Sequence, residues 1–376
     1  MRVLLVQRSL APPGGGNAVA AWMLHALAGH HQVDTLTLSL WSPAQTNAFY
    51  GTSIPERPIV RHVVPPPWRW LSRLSSDRAY RLRMAALLRR ARQLSADYDL
   101  LVTADDYAVF EKPGIQYVHF PATLNSRPTR LAAIVGVYFH FCDWWRGLPW
   151  PLAARNLTLA NSEWTAARLR GVGETRVLYP PVVDTGPGEP WACRSNTFLS
   201  VGRFHSSKRL EVVMSIVRRL RAGAMADARL VIVGSPVDVE YSHRIREAAI
   251  RAGDWIQIRE DLSRGELNAL MGRSRYGVQA MEGEHFGMAT AEMARAGCLV
   301  FPHRSGGSVE VVNGAPELLW DSEDEAVARI SATVQAPALR DQLLASLGVQ
   351  AQQFSAERFV ERFRVIVSEW EARQVN

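Results

Sequence analysis

Short apolar runs alternate with helical segments along the chain, and this alternation constrains the fold more than any other feature of the sequence. The runs cover residues 3–6, 100–103, 157–160, 198–201, 230–233, 276–280 and 299–301. Strands that alternate with helices form parallel sheets that are covered by helices on both faces. The sequence therefore predicts an α/β fold with a ligand site at the carboxyl ends of the strands.

A segment rich in proline and glycine, residues 179–190, separates two groups of runs. Its four prolines and two glycines disfavour a continued helix or a central strand. A chain of 376 residues has room for about two domains, so we predict an N-terminal domain over 1–182 and a C-terminal domain over 183–354. The tail, 355–376, has apolar residues at helical spacing: Phe359, Phe363, Ile366 and Trp370. This spacing predicts an amphipathic helix that needs a partner surface.

Cysteine content and the length of the apolar segments indicate the compartment. Three scattered cysteines are too few for a disulfide framework or a Cys-rich zinc module, which favours a reducing environment. The apolar run at residues 3–6 is shorter than the about 7–15 residues of a signal peptide. The longest apolar stretch, 131–142, is shorter than the ~18 residues of a spanning helix. We expect a cytoplasmic protein whose contact with a membrane is peripheral.

Arginine is concentrated between Arg57 and Arg92. This region has ten arginines and one acid, Asp77, so its charge is +9 against +7 for the whole chain. Helical phasing puts Tyr80, Met84, Leu87, Leu88 and Ala91 on one face, and Arg78, Arg81, Arg89 and Arg92 on the opposite face. Such a helix, after the tryptophan-containing segment 65–71, suits an anionic membrane surface or a phosphate-bearing substrate. The alternative is a solvated helix face. No nucleic-acid partner is expected, because no recognised binding motif accompanies the arginines.

Two motifs that follow predicted strands indicate anion binding. Gly15 and Gly16 precede an alanine-rich helix, so backbone amides there can approach a phosphate or a sugar closely; the alternative is a flexible loop. The motif matches neither G-x-G-x-x-G nor G-x-x-x-x-G-K-[ST], which disfavours nicotinamide binding and a simple ATPase. After the run 198–201, Arg203 and Lys208 suit a diphosphate; the alternative is a surface pair that caps a helix.

A third motif, residues 282–292, is more specific. If a helix begins near Gly287, Glu284 lies in the preceding loop and Glu292 lies about 12 Å farther along, which excludes a close catalytic carboxylate pair. Backbone amides at the helix start could hold a phosphate between the two glutamates: those of Phe286, Gly287, Met288 and Ala289. The motif predicts a nucleotide-sugar site, with Glu284 at the sugar hydroxyls and Glu292 at the ribose. The alternative is a helix with favourable N-terminal acids.

The order of these motifs resembles glycosyltransferase family 4 across nearly the whole chain. The Glu284-x7-Glu292 block, followed by the block 305–310, is the most specific part. The blocks 117–121, 179–181 and 283–287 are most similar to the branch of the dolichol-oligosaccharide α-1,2-mannosyltransferase, which uses GDP-mannose. The chain departs from that branch at Asn17-Ala18, at Ser308 and in its arginine-rich region.

The resemblance implies a GT-B fold: two Rossmann-like domains facing a central cleft, the first binding the acceptor and the second the nucleotide sugar, with a C-terminal helix that crosses back to the first. The implied catalytic residues are His119, Arg203, Lys208 and Glu284; a structural histidine is the alternative for His119. The implied substrate-binding residues are Gly15, Gly16, Ser162, Arg203, Lys208, Phe286, Gly287, Met288, Ala289 and Glu292. Because Arg203 and Lys208 neutralise the leaving diphosphate, no metal and no cofactor is implied, and the sequence has no D-x-D or H-E-x-x-H motif.

These observations together predict a retaining glycosyltransferase that moves a hexose, mannose from GDP-mannose, to a glycan or lipid-linked acceptor. A front-face mechanism is expected, because the motifs contain no obvious nucleophile. One alternative is a retaining enzyme that uses a UDP-sugar and a soluble small-molecule acceptor. Another is a non-catalytic lipid- or polysaccharide-binding relative, which the presence of Arg203, Lys208 and both glutamates disfavours.

Overall fold

The computed structural model describes residues 1–12, 14–56, 59–64, 80–105, 107–120, 132–147, 150–169, 173–186 and 188–375. The chain forms two compact units, each with its own sheet. The first unit combines residues 1–181 with 356–376, and the second consists of residues 182–355.

The first unit contains a seven-stranded sheet in the order β3-β2-β1-β4-β5-β6-β7. Its strands are β1 (Arg2–Val6), β2 (Gln32–Thr37), β3 (Arg61–Val63), β4 (Leu100–Thr103), β5 (Ile115–Val118), β6 (Leu157–Ala160) and β7 (Thr175–Val177). All the pairings are parallel. The apolar runs predicted at 3–6, 100–103 and 157–160 are strands in the middle of this sheet, buried as expected for strands covered on both faces.

Helices lie in the connections between these strands. They are α1 (Gly15–Leu27), α2 (Pro43–Tyr50), α3 (Tyr80–Leu94), α4 (Ala132–Arg146) and α5 (Glu163–Arg168). The predicted basic helix is α3, and Met84, Leu87, Leu88 and Ala91 are buried on its apolar side. Parallel strands need such crossovers, so the connections confirm the predicted α/β class.

The second unit contains a five-stranded sheet in the order β10-β9-β8-β11-β12. Its strands are β8 (Ser195–Val201), β9 (Arg229–Gly234), β10 (Ile256–Glu260), β11 (Ser274–Gln279) and β12 (Leu299–Pro302), and all are parallel. Its helices are α6 (Leu210–Ala222), α7 (Val239–Ala252), α8 (Arg264–Gly272), α9 (Met288–Arg295), α10 (Ser308–Val311), α11 (Glu323–Gln335) and α12 (Pro337–Ala351). This arrangement is Rossmann-like, and it brings the loops after β8, β9, β10, β11 and β12 to one edge of the sheet.

The chain enters and leaves the second unit at one place. The backbone N–H of Val182 donates to the carbonyl of Phe354 at 2.8 Å, and Val182 also pairs with Ser355 as an isolated parallel bridge. This pairing holds Val182 and Ser355 in the second unit, so each crossing lies one residue from the predicted boundary.

The last helix, α13 (Ala356–Val375), belongs to the first unit. It packs against α1, and Arg364 Nε donates to the carbonyl of Ala26 at 2.8 Å. The aromatic and aliphatic residues predicted to form its apolar face are buried: Phe359, Phe363, Ile366 and Trp370. The first unit is the partner surface that this amphipathic helix needs.

Candidate functional site

The loops after β8 and β11 meet at a charged pair in the second unit. After β8 the chain makes a 3₁₀ turn, Ser206–Lys208, and Lys208 Nζ donates to Glu284 Oε2. The two side chains retain 19% and 21% exposure, so water screens this pair less than it would on an open surface. The structure thereby brings together two of the predicted catalytic residues. Arg203 lies in the same loop and is exposed; within the described part of the chain it has no ion-pair partner.

Backbone contacts fix the position of Glu284. The N–H of Gly307 donates to the carbonyl of Glu284 at 2.7 Å, and the N–H of Gly283 donates to Ser305 Oγ at 2.8 Å. Glu284 also pairs with Gly306 as a parallel bridge. The loop after β12 therefore holds the loop after β11, which pre-organises the carboxylate of Glu284.

The predicted phosphate cradle lies at the start of α9. Gly287 is the N-cap residue, and Met288 and Ala289 occupy the first helical turn, half-buried. Phe286 is 2% exposed and its ring lies 5.2 Å from that of Phe354, so its side chain anchors the loop in the core. A helix start has backbone N–H groups without intrahelical partners, which favours an anion there.

Glu292 is farther along α9 and is paired with an arginine that no motif had indicated. Arg264 Nη2 donates to Glu292 Oε1 at 2.8 Å, and Glu292 is 13% exposed. Arg264 opens α8 after a capping box formed by Ser263 and Glu266. The S-x-x-E pattern of that box was readable in the sequence and would have placed Arg264 at a helix start, at the edge of the sheet that carries the other loops.

A second charged group supports the loop before Glu284. Arg209 pairs with Glu282, and His303 Nδ1 lies 2.8 Å from Ser305 Oγ. Nε2 of His303 is 3.9 Å from Glu282 Oε1. Burial is the main cause that lowers the pKa of His303 from its ordinary value, opposed by the nearby carboxylate of Glu282. This group holds the loops; Glu282 and Ser305 lie within the predicted blocks 282–292 and 305–310, whereas His303 was not indicated by any motif.

In the first unit, Gly16 and His119 lie side by side. His119 follows β5, and its Nε2 is 2.9 Å from the carbonyl oxygen of Ala104. A Cβ on Gly16 would lie 3.3 Å from that nitrogen, so any side chain at this position would crowd the imidazole. Gly15 and Gly16 open α1, and Asn161 Nδ2 donates to the carbonyl of His119 at 3.1 Å. The carboxyl ends of β1, β5 and β6 thus collect these predicted residues.

Two further side chains at this edge have different surroundings. Ser162 is fully buried, and its Oγ caps α5 by accepting from the N–H of Thr165 at 3.0 Å. Arg8 Nε donates to Asp105 Oδ1 at 2.6 Å, and Asp105 is 3% exposed. This Arg8–Asp105 pair follows β1 and β4 and carries no sequence motif. The role predicted for Ser162 in substrate binding remains a prediction.

Several predicted features lie outside the described residues. These are the arginines at 57, 69, 73 and 78, the segment 65–71 and the proline at 121. Within the described ranges, no cluster of three or more His, Cys, Asp or Glu side chains could hold a metal ion. Among the helices described, none is both long and apolar enough to cross a bilayer.

Comparison with known proteins identifies the domain and the fold. The family model "Glycosyl transferases group 1" matches residues 189–344, so the second unit carries a domain of that group. Structures of Anabaena HepE in complex with UDP and glucose (TM-score 0.70, 14% identity, covering 98% of this chain and 100% of that one) and of sucrose-phosphate synthase from Thermosynechococcus elongatus (TM-score 0.72, 16% identity, 99% of each) share the fold. The predicted GT-B fold and the glycosyltransferase relationship are confirmed.

Similar proteins from three organisms share the name GDP-Man:Man(3)GlcNAc(2)-PP-Dol alpha-1,2-mannosyltransferase. The protein from Candida glabrata is 23% identical over 224 residues, covering 52% of this chain and 44% of the relative. That from Neurospora crassa is 28% identical over 202 residues, covering 44% and 36%, and the human protein is 21% identical over 204 residues, covering 50% and 41%. The chain thus spans less than half the length of these relatives.

Proposed function

We propose that the protein is a retaining glycosyltransferase that moves a hexose from a nucleotide sugar to a hydroxyl of a glycan or lipid-linked acceptor. The observation that carries this proposal is the Lys208–Glu284 pair beside the start of α9, with Glu292 farther along the same helix. In a nucleotide sugar the diphosphate lies between the sugar and the ribose. The Lys208 cation and the helix start match the diphosphate, and the two separated carboxylates match the sugar and the ribose.

In the proposed reaction, the bond between the sugar and the diphosphate breaks while the acceptor oxygen bonds to the same face of the sugar. A departing phosphate oxygen takes the proton of the acceptor hydroxyl. Lys208 and Arg203 stabilise the negative charge that develops on the diphosphate, so the proposal requires no divalent metal. Glu284 orients the hexose, and Glu292 holds the ribose away from the reacting bond.

We favour mannose from GDP-mannose as the donor and a lipid-linked glycan as the acceptor, because the relatives named above are described as enzymes of that donor and acceptor. Gly16 and His119 in the first unit suit the acceptor, since an imidazole beside backbone amides offers hydrogen bonds to hydroxyls. In this proposal the enzyme works at the cytoplasmic surface of the membrane that carries the acceptor.

Thermal stability in the presence of nucleotides tests the donor. A ligand that binds only the folded protein raises the melting temperature by mass action, so GDP and GDP-mannose should raise it more than the UDP, ADP and TDP pairs. A response selective for UDP would instead support the alternative, a UDP-sugar-dependent enzyme with a soluble acceptor. The absence of any shift would contradict the proposal.

Two neighbouring glutamates allow a matched test of the site. Glu284→Gln and Lys208→Ala should fold normally and lose about 10²–10³-fold in turnover, the range seen when one stabilising polar group is removed. Glu282→Gln, two residues away in the same loop and also in an ion pair, should keep most of the activity. Equal losses in Glu284→Gln and Glu282→Gln would show that the loop, and not the Glu284 carboxylate, determines turnover.

A further inference from the structure

Helix α4 exposes a row of large apolar side chains. Val137, Phe141 and Trp144 are 71%, 48% and 75% exposed, and their spacing puts them on one face of the helix. We call these three residues the α4 stripe. Single exposed apolar residues are ordinary, but neighbouring ones that include a tryptophan are typical of an interaction surface.

A neighbouring side of α4 packs on the basic helix α3. Cys142 and Trp145 of α4 lie in one buried cluster with Leu87, Leu88 and Ala91 of α3. The two helices are therefore one rigid element of the first unit, and whatever contacts the α4 stripe also lies close to the surface of α3.

Arginines of α3 extend across to α4. Arg89 Nη1 donates to the carbonyl of Trp145 at 2.9 Å, Arg92 Nη1 donates to that of Gly147 at 3.1 Å, and the Arg81 guanidinium lies 3.7 Å from the ring centre of Phe139. Carbonyl and ring contacts orient these cations without neutralising them. Helix α3 has five arginines and no acid, and Glu111 pairs with one of them, Arg92, at 3.4 Å.

We propose that this element docks on an anionic lipid bilayer, with the α4 stripe inserted among the headgroups and the α3 arginines at the lipid phosphates. Apolar residues with a tryptophan beside a basic surface suit that boundary, where both kinds of side chain find their preferred environment. A second copy of the chain fits less well. A twofold interface would bring two sets of α3 arginines together, with like charges facing each other.

This proposal goes beyond the activity proposed above and differs from the prediction made from the sequence. The sequence predicted a membrane contact through the arginine face beside the tryptophan-containing segment 65–71, which lies outside the described residues, whereas the structure adds an apolar surface on a different helix, α4. Vesicle binding is measured without donor or turnover, so a failure of this proposal would be distinguishable from a failure of the proposed enzyme activity.

Co-sedimentation with vesicles tests the proposal. The protein should bind phosphatidylcholine–phosphatidylglycerol vesicles at least tenfold more tightly than pure phosphatidylcholine, with weaker binding at high salt. The triple variant Val137→Gln/Phe141→Gln/Trp144→Gln should lose about tenfold or more in affinity, because apolar area no longer leaves water. The double variant Val239→Gln/Ile250→Gln is the control, since both residues are apolar and 80% exposed on α7.

The triple variant should fold normally, since all three side chains are exposed; circular dichroism and an unchanged thermal response to nucleotide check this. Equal vesicle binding by the triple variant and the wild type would overturn the role of the α4 stripe. Absence of binding to anionic vesicles would overturn the proposal as a whole. So would wild-type self-association that the triple variant abolishes, because the occupant of the surface would then be a second copy of the chain.

Discussion

Replacing Gly306 with alanine should separate the geometry of the Glu284 loop from its chemistry. Gly306 has a φ of +90°, and an added Cβ would lie 2.6 Å from the backbone nitrogen of Glu284 and 2.9 Å from its carbonyl carbon. Real Cβ atoms essentially never approach other atoms closer than 3.0 Å. The carbonyl oxygen of Glu284 would lie closer still to the added Cβ. The loop that carries Glu284 must therefore move by about 1 Å to clear this oxygen.

Two costs add in this variant. A non-glycine residue at positive φ costs about 1–2 kcal/mol, and the displaced backbone costs a further 1–3 kcal/mol or so, as overpacking does. We expect the free energy of unfolding to fall by about 2–5 kcal/mol. Since a displacement of about 1 Å at a reacting group can cost roughly 10²-fold in rate, turnover should fall by a similar factor even at temperatures where the variant is folded.

Gly314→Ala is the matched control. Gly314 has a φ of +67° in the same part of the second unit, and its Cβ would meet nothing within 4 Å. This variant should show only the backbone cost, about 1–2 kcal/mol, with unchanged turnover. Urea denaturation and initial rates with the donor measure both effects. If Gly306→Ala were as stable and as active as Gly314→Ala, the backbone contact would not determine the position of Glu284.

Three further predictions concern other parts of the molecule. Arg264→Ala should raise the KM for the donor about tenfold with little change in kcat, because the Arg264–Glu292 pair acts away from the reacting bond; steady-state kinetics would contradict this if kcat fell at constant KM. Burial lowers the pKa of His303 in the folded protein, so that, as the pH falls, the unfolded chain binds a proton before the folded protein does. The free energy of unfolding therefore has its full value above pH 6.5 and declines as the pH falls toward the folded pKa. His303→Gln should flatten that decline in melting temperature, and an unchanged slope would refute the assignment. Phe363→Ala should destabilise the protein by about 3–5 kcal/mol because the ring is fully buried in α13, whereas Arg373→Ala should cost about 0–1 kcal/mol because its ion pair is exposed; comparable losses in chemical denaturation would show that ion pairs, not apolar burial, hold this helix.

Continuous apolar runs were enough to locate seven of the twelve described strands. The strands β1, β4, β6, β8, β9, β11 and β12 all coincide with predicted runs, because strands that are covered on both faces have apolar side chains on both. Three of the four edge strands, β3, β7 and β10, were not predicted, whereas the edge strand β12 was. In β10, exposed positions alternate with buried or half-buried ones, and β3 and β7 have three residues each, too short to show any period.

Strand β2 was missed for a different reason. It contains Asp34, which is 3% exposed and would have argued against a buried strand. Its carboxylate accepts hydrogen bonds from Tyr98 Oη at 2.8 Å and from the N–H of Val60 at 2.9 Å. Burial of this acid is compatible with folding only because distant residues supply those donors, and no local pattern indicates them.

In the candidate site, too, local sequence patterns and tertiary contacts determine different features. The sequence by itself indicated the candidate residues, and it determined that Glu284 lies in a loop and Glu292 in the helix after it, because that placement follows from local spacing. Only the tertiary structure decided their partners. Lys208 is 76 residues from Glu284, and Arg264 is 28 residues from Glu292. These side chains meet because parallel strands end at one edge of the sheet, and the order of the strands, which local periodicity does not encode, sets which loops are neighbours.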